Sequence, residues 1–352
     1  MGFPTDVSPP GKPWIVDNHT ICFYGVNVDA RPVVTVQHGE AVPTQLDSIS
    51  ADAELRMVTS ARLAEGIAGA DVLFLYDFSS PALESVWSAA DALRWVQVAA
   101  IGVDAVMFDE LIDSDVVVTN SRGIFEEPIA EYVLGQILAF AKDFRRSWEA
   151  QCDGRWQHFD TERIAGGSVT VVGPGPVGRA IARLLRAVGM SVRGVGRSER
   201  EDPDFGTVTT DVLAAVGDAD YVVLAAPLTP QTRGMVGADV LGAMRPTARL
   251  INVGRGELVD TDALVSALQA GVIAGAALDV VDPEPLPVGH PLWTAPNVRL
   301  TPHNSGDIQG WRNMLQQQFV ANFRRYAAGQ PLHNVVDKRS VSATAQSGER
   351  RT

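Results

Sequence analysis

The sequence predicts an α/β protein of two doubly wound parallel-sheet domains, and three observations carry that expectation. Short β-branched runs alternate with helix-like mixtures of polar and apolar residues. The alternation occurs twice, on either side of one long helical stretch. Finally, 352 residues are too many for one ordinary core and comfortable for two.

The first series has strand candidates at 33–37, 54–58, 71–76, 93–99 and 116–119. From 127 to 149 the residues Ile129, Tyr132, Val133, Ile137, Leu138 and Phe144 fall at helical spacing, which predicts one amphipathic helix ending near Gly154. The second series has candidates at 168–172, 191–195, 220–224, 248–253, 275–279 and 298–300, the size of a doubly wound domain. A last helix at 309–328 has no strand left to pair with in that domain, so it is expected to return to the first. The predicted organisation is one domain from 20–121 plus 306–336, a second from 122–305, and flexible tails at 1–19 and 337–352. The last stretch is rich in Ser, Arg and Gln without apolar spacing.

Charge and cysteine content narrow the function. A formal net charge of -13, from 29 Lys+Arg against 42 Asp+Glu, would repel a phosphate backbone, so no nucleic-acid partner is expected. An anionic ligand must then meet locally placed cations or backbone amides. Cys22 and Cys152 alone build neither a disulfide framework nor a zinc cluster, so no metal is expected and a reducing cytoplasm fits. Residues 1–20 carry four prolines and no apolar run after a basic patch, unlike a secretory signal; Asp6 stands where a myristoylated Gly2 would need Ser or Thr. No window is apolar enough for a membrane helix.

Directly after Val169-Thr-Val-Val comes Gly173-Pro-Gly175-Pro-Val-Gly178, followed by a helical stretch. This is G-x-G-x-x-G between strand and helix, where it grips a dinucleotide: Gly173 makes the tight turn, Gly175 admits the pyrophosphate to the backbone, and Gly178 lets helix and strand pack. A bare βα turn would use the same glycines. The second strand ends in Gly196-Arg197-Ser198, so a cation and a hydroxyl stand where an acid would hold an unphosphorylated ribose. That favours NADP over NAD, with NAD(H) still possible; the alternative is that Arg197 and Arg200 are solvated surface charges.

Downstream, the run 250–256 leads a buried strand into Arg255 between two glycines, at the sheet edge where ligands sit; a guanidinium there is a fork for a carboxylate, or a surface charge. Two further strand ends carry Asp279 with Glu284, and His303. A histidine beside a carboxylate from a neighbouring loop makes a proton relay. On the residues alone, a structural histidine fits as well.

Taken in order, G-x-G-x-x-G, N-V-G-R-G-E-L-V-D, A-L-D-V-V-D-P-E-P-L-P and T-P-H-N-S-G closely resemble the D-isomer-specific 2-hydroxyacid dehydrogenase family, over about residues 71–336. Further matches are Ala100-Ile101-Gly102-Val-Asp104, Ala225-Ala-Pro227 through Thr232, and His290-Pro-Leu-Trp293. The resemblance implies a Rossmann cofactor domain and a flavodoxin-like substrate domain. It implies nicotinamide-dependent reduction of a 2-keto acid to the D-2-hydroxy acid. In that scheme Arg255 binds the substrate carboxylate and polarises the carbonyl, His303 is the acid/base, and Glu284 holds His303 protonated. The amides of Ile101 and Gly102 grip the carboxylate. Gly173, Gly175, Pro176, Val177, Gly178, Arg197, Ser198, Pro227, Thr232, Val253 and Asp279 contact the cofactor, Asp279 at its carboxamide.

The family usually forms homodimers, and the 127–149 helix with Trp148 and Trp156 is the expected arm. Glu284 separates the chain from the formate dehydrogenase branch, which has glutamine there, and the Gly196-Arg197-Ser198 run resembles the NADPH-using glyoxylate/hydroxypyruvate reductase branch. Asp307 and Trp311 depart from the smaller residues of many members; Trp311, with Asp77 and Phe78, is expected to set the substrate side chain. Residues 1–30 match nothing recognisable. Two other readings stand: an NAD-linked oxidative dehydrogenase of phosphoglycerate type, and a non-catalytic NAD(H)-sensing module on the same fold.

Overall fold

The computed structural model describes residues 13–17, 20–23, 31–77 and 82–339. The chain divides into two compact units, one reaching Ile124 and resuming at Gln309, the other running from Phe125 to Ile308.

In the first unit, β1 (Pro13–Asp17) and β2 (Thr20–Phe23) pair as an antiparallel ribbon that the sequence patterning missed. Then β3 (Val33–Gln37), β4 (Glu54–Val58), β5 (Val72–Leu75), β6 (Trp95–Val98) and β7 (Val117–Thr119) form a parallel sheet in the order β4-β3-β5-β6-β7. Apart from the ribbon, this is the flavodoxin order, with the switch between β3 and β5.

Strands buried on both faces need apolar side chains throughout, and β5 and β6 are fully buried. The exception in β6 is Gln97. Its Oε1 accepts from Thr119 Oγ1 at 2.7 Å and from Asn322 Nδ2 at 3.2 Å. Asn322 also exchanges both backbone bonds with His333, at 2.9 and 3.1 Å. Asn322 belongs to the last helix, Trp311–Ala327, which packs on this unit. There Phe319 stacks on Phe74 with ring centroids 4.3 Å apart and lies 5.4 Å from Trp95.

In the second unit, β8 (Ser168–Val172), β9 (Ser191–Val195), β10 (Arg200–Asp202), β11 (Gly206–Thr209), β12 (Tyr221–Leu224), β13 (Arg249–Asn252), β14 (Gly275–Leu278) and β15 (Val298–Leu300) form one sheet. Its order is β10-β11-β9-β8-β12-β13-β14-β15, and every pairing but the β10–β11 hairpin is parallel. The chain reverses direction of winding between β8 and β12, which places the Gly-rich turn after β8 at the switch point.

Four expectations need correction. The single 127–149 helix is two helices, Glu126–Ala141 and Phe144–Cys152. The break falls at Asp143, which takes φ 45 and whose side chain accepts the Arg146 N–H, capping the second helix. The β10–β11 hairpin was missed because it has no alternating apolar pattern. It is held by buried Phe205 and Val208 and by a salt bridge from Arg179 to Asp202 at 2.8 Å. The flexible tail from 337 begins too early: Lys338 Nζ donates to the carbonyls of Leu111, Ser114 and Val116 at 2.6 to 2.8 Å. Burial lowers that ammonium's pKa to about 8. Of the tail expected at 1–19, residues 13–17 form β1 instead; residues 1–12, 18–19 and 340–352 of the predicted tails, and Phe78, lie outside the described residues. No helix among the described residues is long and apolar enough to cross a membrane.

Candidate active site

The chemistry-bearing residues of the second unit stand on loops at the carboxyl ends of its strands. After β8, Gly173 takes φ 103, and a Cβ there would fall 2.5 Å from the Ala226 nitrogen. At Gly178 a Cβ would meet the Gly173 carbonyl oxygen at 2.1 Å. Nothing lies within 4 Å of a Cβ built on Gly175, so the turn is closed against β12 and open on its other side. Pro176 opens the helix Pro176–Ala187, Val177 follows it, and Gly175 caps that helix without any side-chain hydrogen bond. A helix N-terminus with open backbone amides and no acid in its first turn fits a pyrophosphate.

At the end of β9, a Cβ on Gly196 would press on Pro174 at 2.8 Å. Arg197 and Ser198 that follow are exposed. Arg200 reaches the Ser198 carbonyl at 3.4 Å and the Asp202 carboxylate at 3.4 Å. Asp202 is 6% exposed and accepts two hydrogen bonds from Arg179, at 2.9 and 2.8 Å. Those bonds hold its pKa below the usual carboxylate range against the opposing effect of burial.

After β12, Thr232 Oγ1 donates to the Pro227 carbonyl at 2.8 Å, closing the turn that follows Ala225 and Ala226. Past β13, Val253 leads into Gly254-Arg255-Gly256. A Cβ at Gly256 would collide with the Val281 carbonyl at 2.0 Å, and one at Gly254 would lie 2.9 Å from the Ala226 carbonyl. Both glycines are therefore required by close backbone approach. Asn252 ties the turn, with its Nδ2 donating to the Arg255 carbonyl at 2.8 Å and its Oδ1 accepting the Gly254 N–H at 3.0 Å. Arg255 Nη1 donates to the Gly254 carbonyl at 2.8 Å.

Beyond β15, His303 takes φ 53, in the left-handed region that residues with a Cβ rarely enter. Its Nδ1 meets Glu284 Oε1 at 2.7 Å. Both side chains are partly exposed, 43% and 39%. The His303 pKa is raised, first by the hydrogen bond to Glu284, against desolvation, with the Glu284 and Asp279 charges adding and Arg255 opposing. Arg255, Glu284 and His303 thus share one electrostatic neighbourhood.

Asp279 is buried, at 2% exposure. Its Oδ1 accepts from Thr301 Oγ1 at 2.6 Å and Asn304 N at 3.0 Å, and its Oδ2 accepts from Ser305 N at 2.9 Å. Thr301 in turn meets the Tyr132 hydroxyl at 2.7 Å. Sequence reasoning missed Thr301 and took Tyr132 as part of an apolar helix face. The only local signal was a threonine two residues before the histidine.

In the first unit, Ile101 and Gly102 form the turn after β6, and Asn120 Nδ2 donates to the Ile101 carbonyl at 2.7 Å. Asp77 follows β5, and Trp311 is buried at the start of the last helix; Asp307, in the second unit, is exposed.

Residues 134–305 match the model of the D-isomer specific 2-hydroxyacid dehydrogenase NAD binding domain. A human glyoxylate reductase/hydroxypyruvate reductase is 31% identical over 78% of this chain and 86% of its own length. The chain belongs to the D-isomer-specific 2-hydroxyacid dehydrogenase family. A glyoxylate reductase of Korarchaeum cryptofilum is 30% identical over 75% of this chain and 82% of its own. Among solved structures, a D-isomer specific 2-hydroxyacid dehydrogenase of Xanthobacter autotrophicus in complex with NADPH superposes with a TM-score of 0.73 at 31% identity, covering 88% of this chain and 99% of that one. This dehydrogenase is accordingly an oxidoreductase acting on a CH–OH group with a nicotinamide cofactor.

Proposed function

We propose that this dehydrogenase reduces a small 2-keto acid to the D-2-hydroxy acid and prefers NADPH, as its similarity to glyoxylate/hydroxypyruvate reductases suggests. The observation that carries the reading is the 2.7 Å His303–Glu284 pair on strand-end loops shared with Arg255. The reaction needs three things of the chain: a cation for the carboxylate, a polarised carbonyl, and a proton.

Arg255, set rigidly between glycines, supplies the first two. Its planar fork matches a carboxylate and its charge draws electron density toward the carbonyl oxygen. Ile101 and Gly102, in the first unit, are assigned to substrate binding through their amides. Glu284 accepts the Nδ1 proton of His303, which leaves the Nε2 proton as the one to hand to the carbonyl oxygen. A bound reduced nicotinamide supplies the hydride, which is the cofactor's own chemistry.

Gly173 to Gly178 are assigned to the pyrophosphate, with Pro227, Thr232 and Val253 along the cofactor. Arg197 and Ser198 are assigned to the 2′-phosphate, since Gly196 offers no acid to the ribose. Asp279 is assigned to the neighbourhood of the carboxamide. The exposed Phe144, Trp148 and Trp156, at 56%, 62% and 102%, are the apolar surface assigned to a homodimer. A cytoplasmic location is proposed from the low cysteine content, two in the whole chain.

The test is the initial rate of NADPH and NADH oxidation by the purified protein with glyoxylate, hydroxypyruvate, phenylpyruvate and branched 2-keto acids. Turnover with NADPH preferred is expected. Silence with all of them, in protein shown to bind the cofactor, would instead favour the sensing module.

A further inference from the structure

We infer that the hydroxyl pair Tyr132–Thr301 is a positioning device for the acid/base histidine: it fixes the Asp279 carboxylate, and Asp279 fixes the loop on which His303 stands. The inference rests on the reading of His303 as the proton donor, and it concerns residues that the motif resemblance does not assign to that task.

The direction of each hydrogen bond follows from chemistry. A carboxylate only accepts, so the 2.6 Å contact is Thr301 Oγ1–H donating to Asp279 Oδ1. With its proton committed, the Thr301 oxygen accepts from the Tyr132 hydroxyl at 2.7 Å. The result is a one-way chain, phenol to hydroxyl to carboxylate, in which each bond polarises the next. Burial raises the Tyr132 pKa to about 12, so the phenol remains a donor through the neutral range.

Asp279 is the hub of the histidine loop. The N–H groups of three consecutive residues end on it: His303 on its carbonyl at 2.8 Å, Asn304 on Oδ1 at 3.0 Å, and Ser305 on Oδ2 at 2.9 Å. These bonds hold His303 in its left-handed conformation. None of the three donors to the buried carboxylate is cationic, so its orientation depends on neutral donors, and Thr301 is the one side-chain donor among them. Tyr132 comes from the helix Glu126–Ala141, so the chain also ties that helix to the histidine loop.

The groups that face His303 are Glu284, Asp279 and Arg255. If the loop loosens, the Glu284 bond that raises the imidazole pKa weakens first. His303 then titrates closer to its ordinary value, because the largest cause of its upward shift is weakened while burial and Arg255 still oppose the charged form.

The experiment compares wild type with Thr301→Val, Tyr132→Phe and Thr301→Ser. It reads the His303 ring titration by NMR, assigned with His303→Gln, and the pH dependence of kcat with NADPH and glyoxylate. Thr301→Val is expected to lower kcat on the order of threefold to tenfold, as for one lost hydrogen bond, and to shift the titration downward. Tyr132→Phe should act in the same direction by less. Thr301→Ser, which keeps the hydroxyl, should restore both. Should Thr301→Val fail to fold, the near-isosteric Tyr132→Phe carries the test. A titration unmoved in the hydroxyl-deleting variants would overturn the inference. So would equal losses in Thr301→Ser and Thr301→Val, which would reduce the role to packing. The NMR reading needs no turnover, so absence of keto-acid reduction would strike the proposed function while the positioning role is still judged.

Discussion

The two units use one architecture for opposite ends. In the first, polar groups lie inside the sheet and are consumed internally: Trp95 donates to Thr119, Thr119 to Gln97, and Asn322 joins Gln97 to His333. In the second, the groups with chemistry lie past the strand ends, where His303 and Glu284 keep 43% and 39% of their surface. A buried polar network rigidifies only when it is satisfied, and a reactive group must stay accessible. The same βα repeat thus places stabilising polar groups along its strands and chemical ones on its loops.

Substitutions in the two regions should therefore separate into losses of stability and losses of chemistry. The largest expected loss of stability is Phe319→Ala, which removes a fully buried ring stacked on Phe74. It should destabilise the first unit by about 3–5 kcal/mol, read by denaturant unfolding. A loss below about 1 kcal/mol would mean that the last helix does not carry the core. Asn322→Ala should cost about 1–3 kcal/mol, because the His333 N–H and Gln97 each lose a buried partner. Both variants should leave the ratio of NADPH to NADH turnover unchanged.

In the second unit, Glu284→Gln should act on pH dependence. The His303 pKa is raised in the folded protein, so the imidazolium is present at low pH and is lost as pH rises through that raised value. Removing the carboxylate's charge lowers it, and the alkaline limb of keto-acid reduction should move to lower pH. An unmoved limb would separate Glu284 from the proton donor. The smallest effect is expected at Arg197→Ala: a rise in the KM for NADPH of about tenfold, as for one exposed phosphate contact, with NADH within twofold. Equal change for both cofactors would remove Arg197 from phosphate recognition.

Much of this was legible in the sequence because its signals are local. All five strands of the first parallel sheet and six of the eight in the second announce themselves by short β-branched runs, and Gly173, Gly178, Gly254 and Gly256 stand in local motifs, which the structure explains by backbone contacts that forbid a Cβ. Arg255, Glu284 and His303 could be named from adjacent motifs, and the structure brings them into one neighbourhood. What escaped has non-local causes. The helix break at Asp143 depends on one residue in the left-handed region inside an unbroken apolar period. The hairpin at 200–209 is held by an ion pair to a different helix, and Lys338 looks like a polar tail until three carbonyls converge on it. The Tyr132–Thr301 bond spans 169 residues, beyond any periodicity.

The most direct test of the proton relay compares His303→Ala with wild type in two readings on the same preparations: NADPH affinity by fluorescence, and turnover with glyoxylate or hydroxypyruvate. Loss of a positioned proton donor predicts that kcat falls by about 10²- to 10⁴-fold while NADPH affinity stays within about twofold. Turnover retained in His303→Ala would contradict the proton relay.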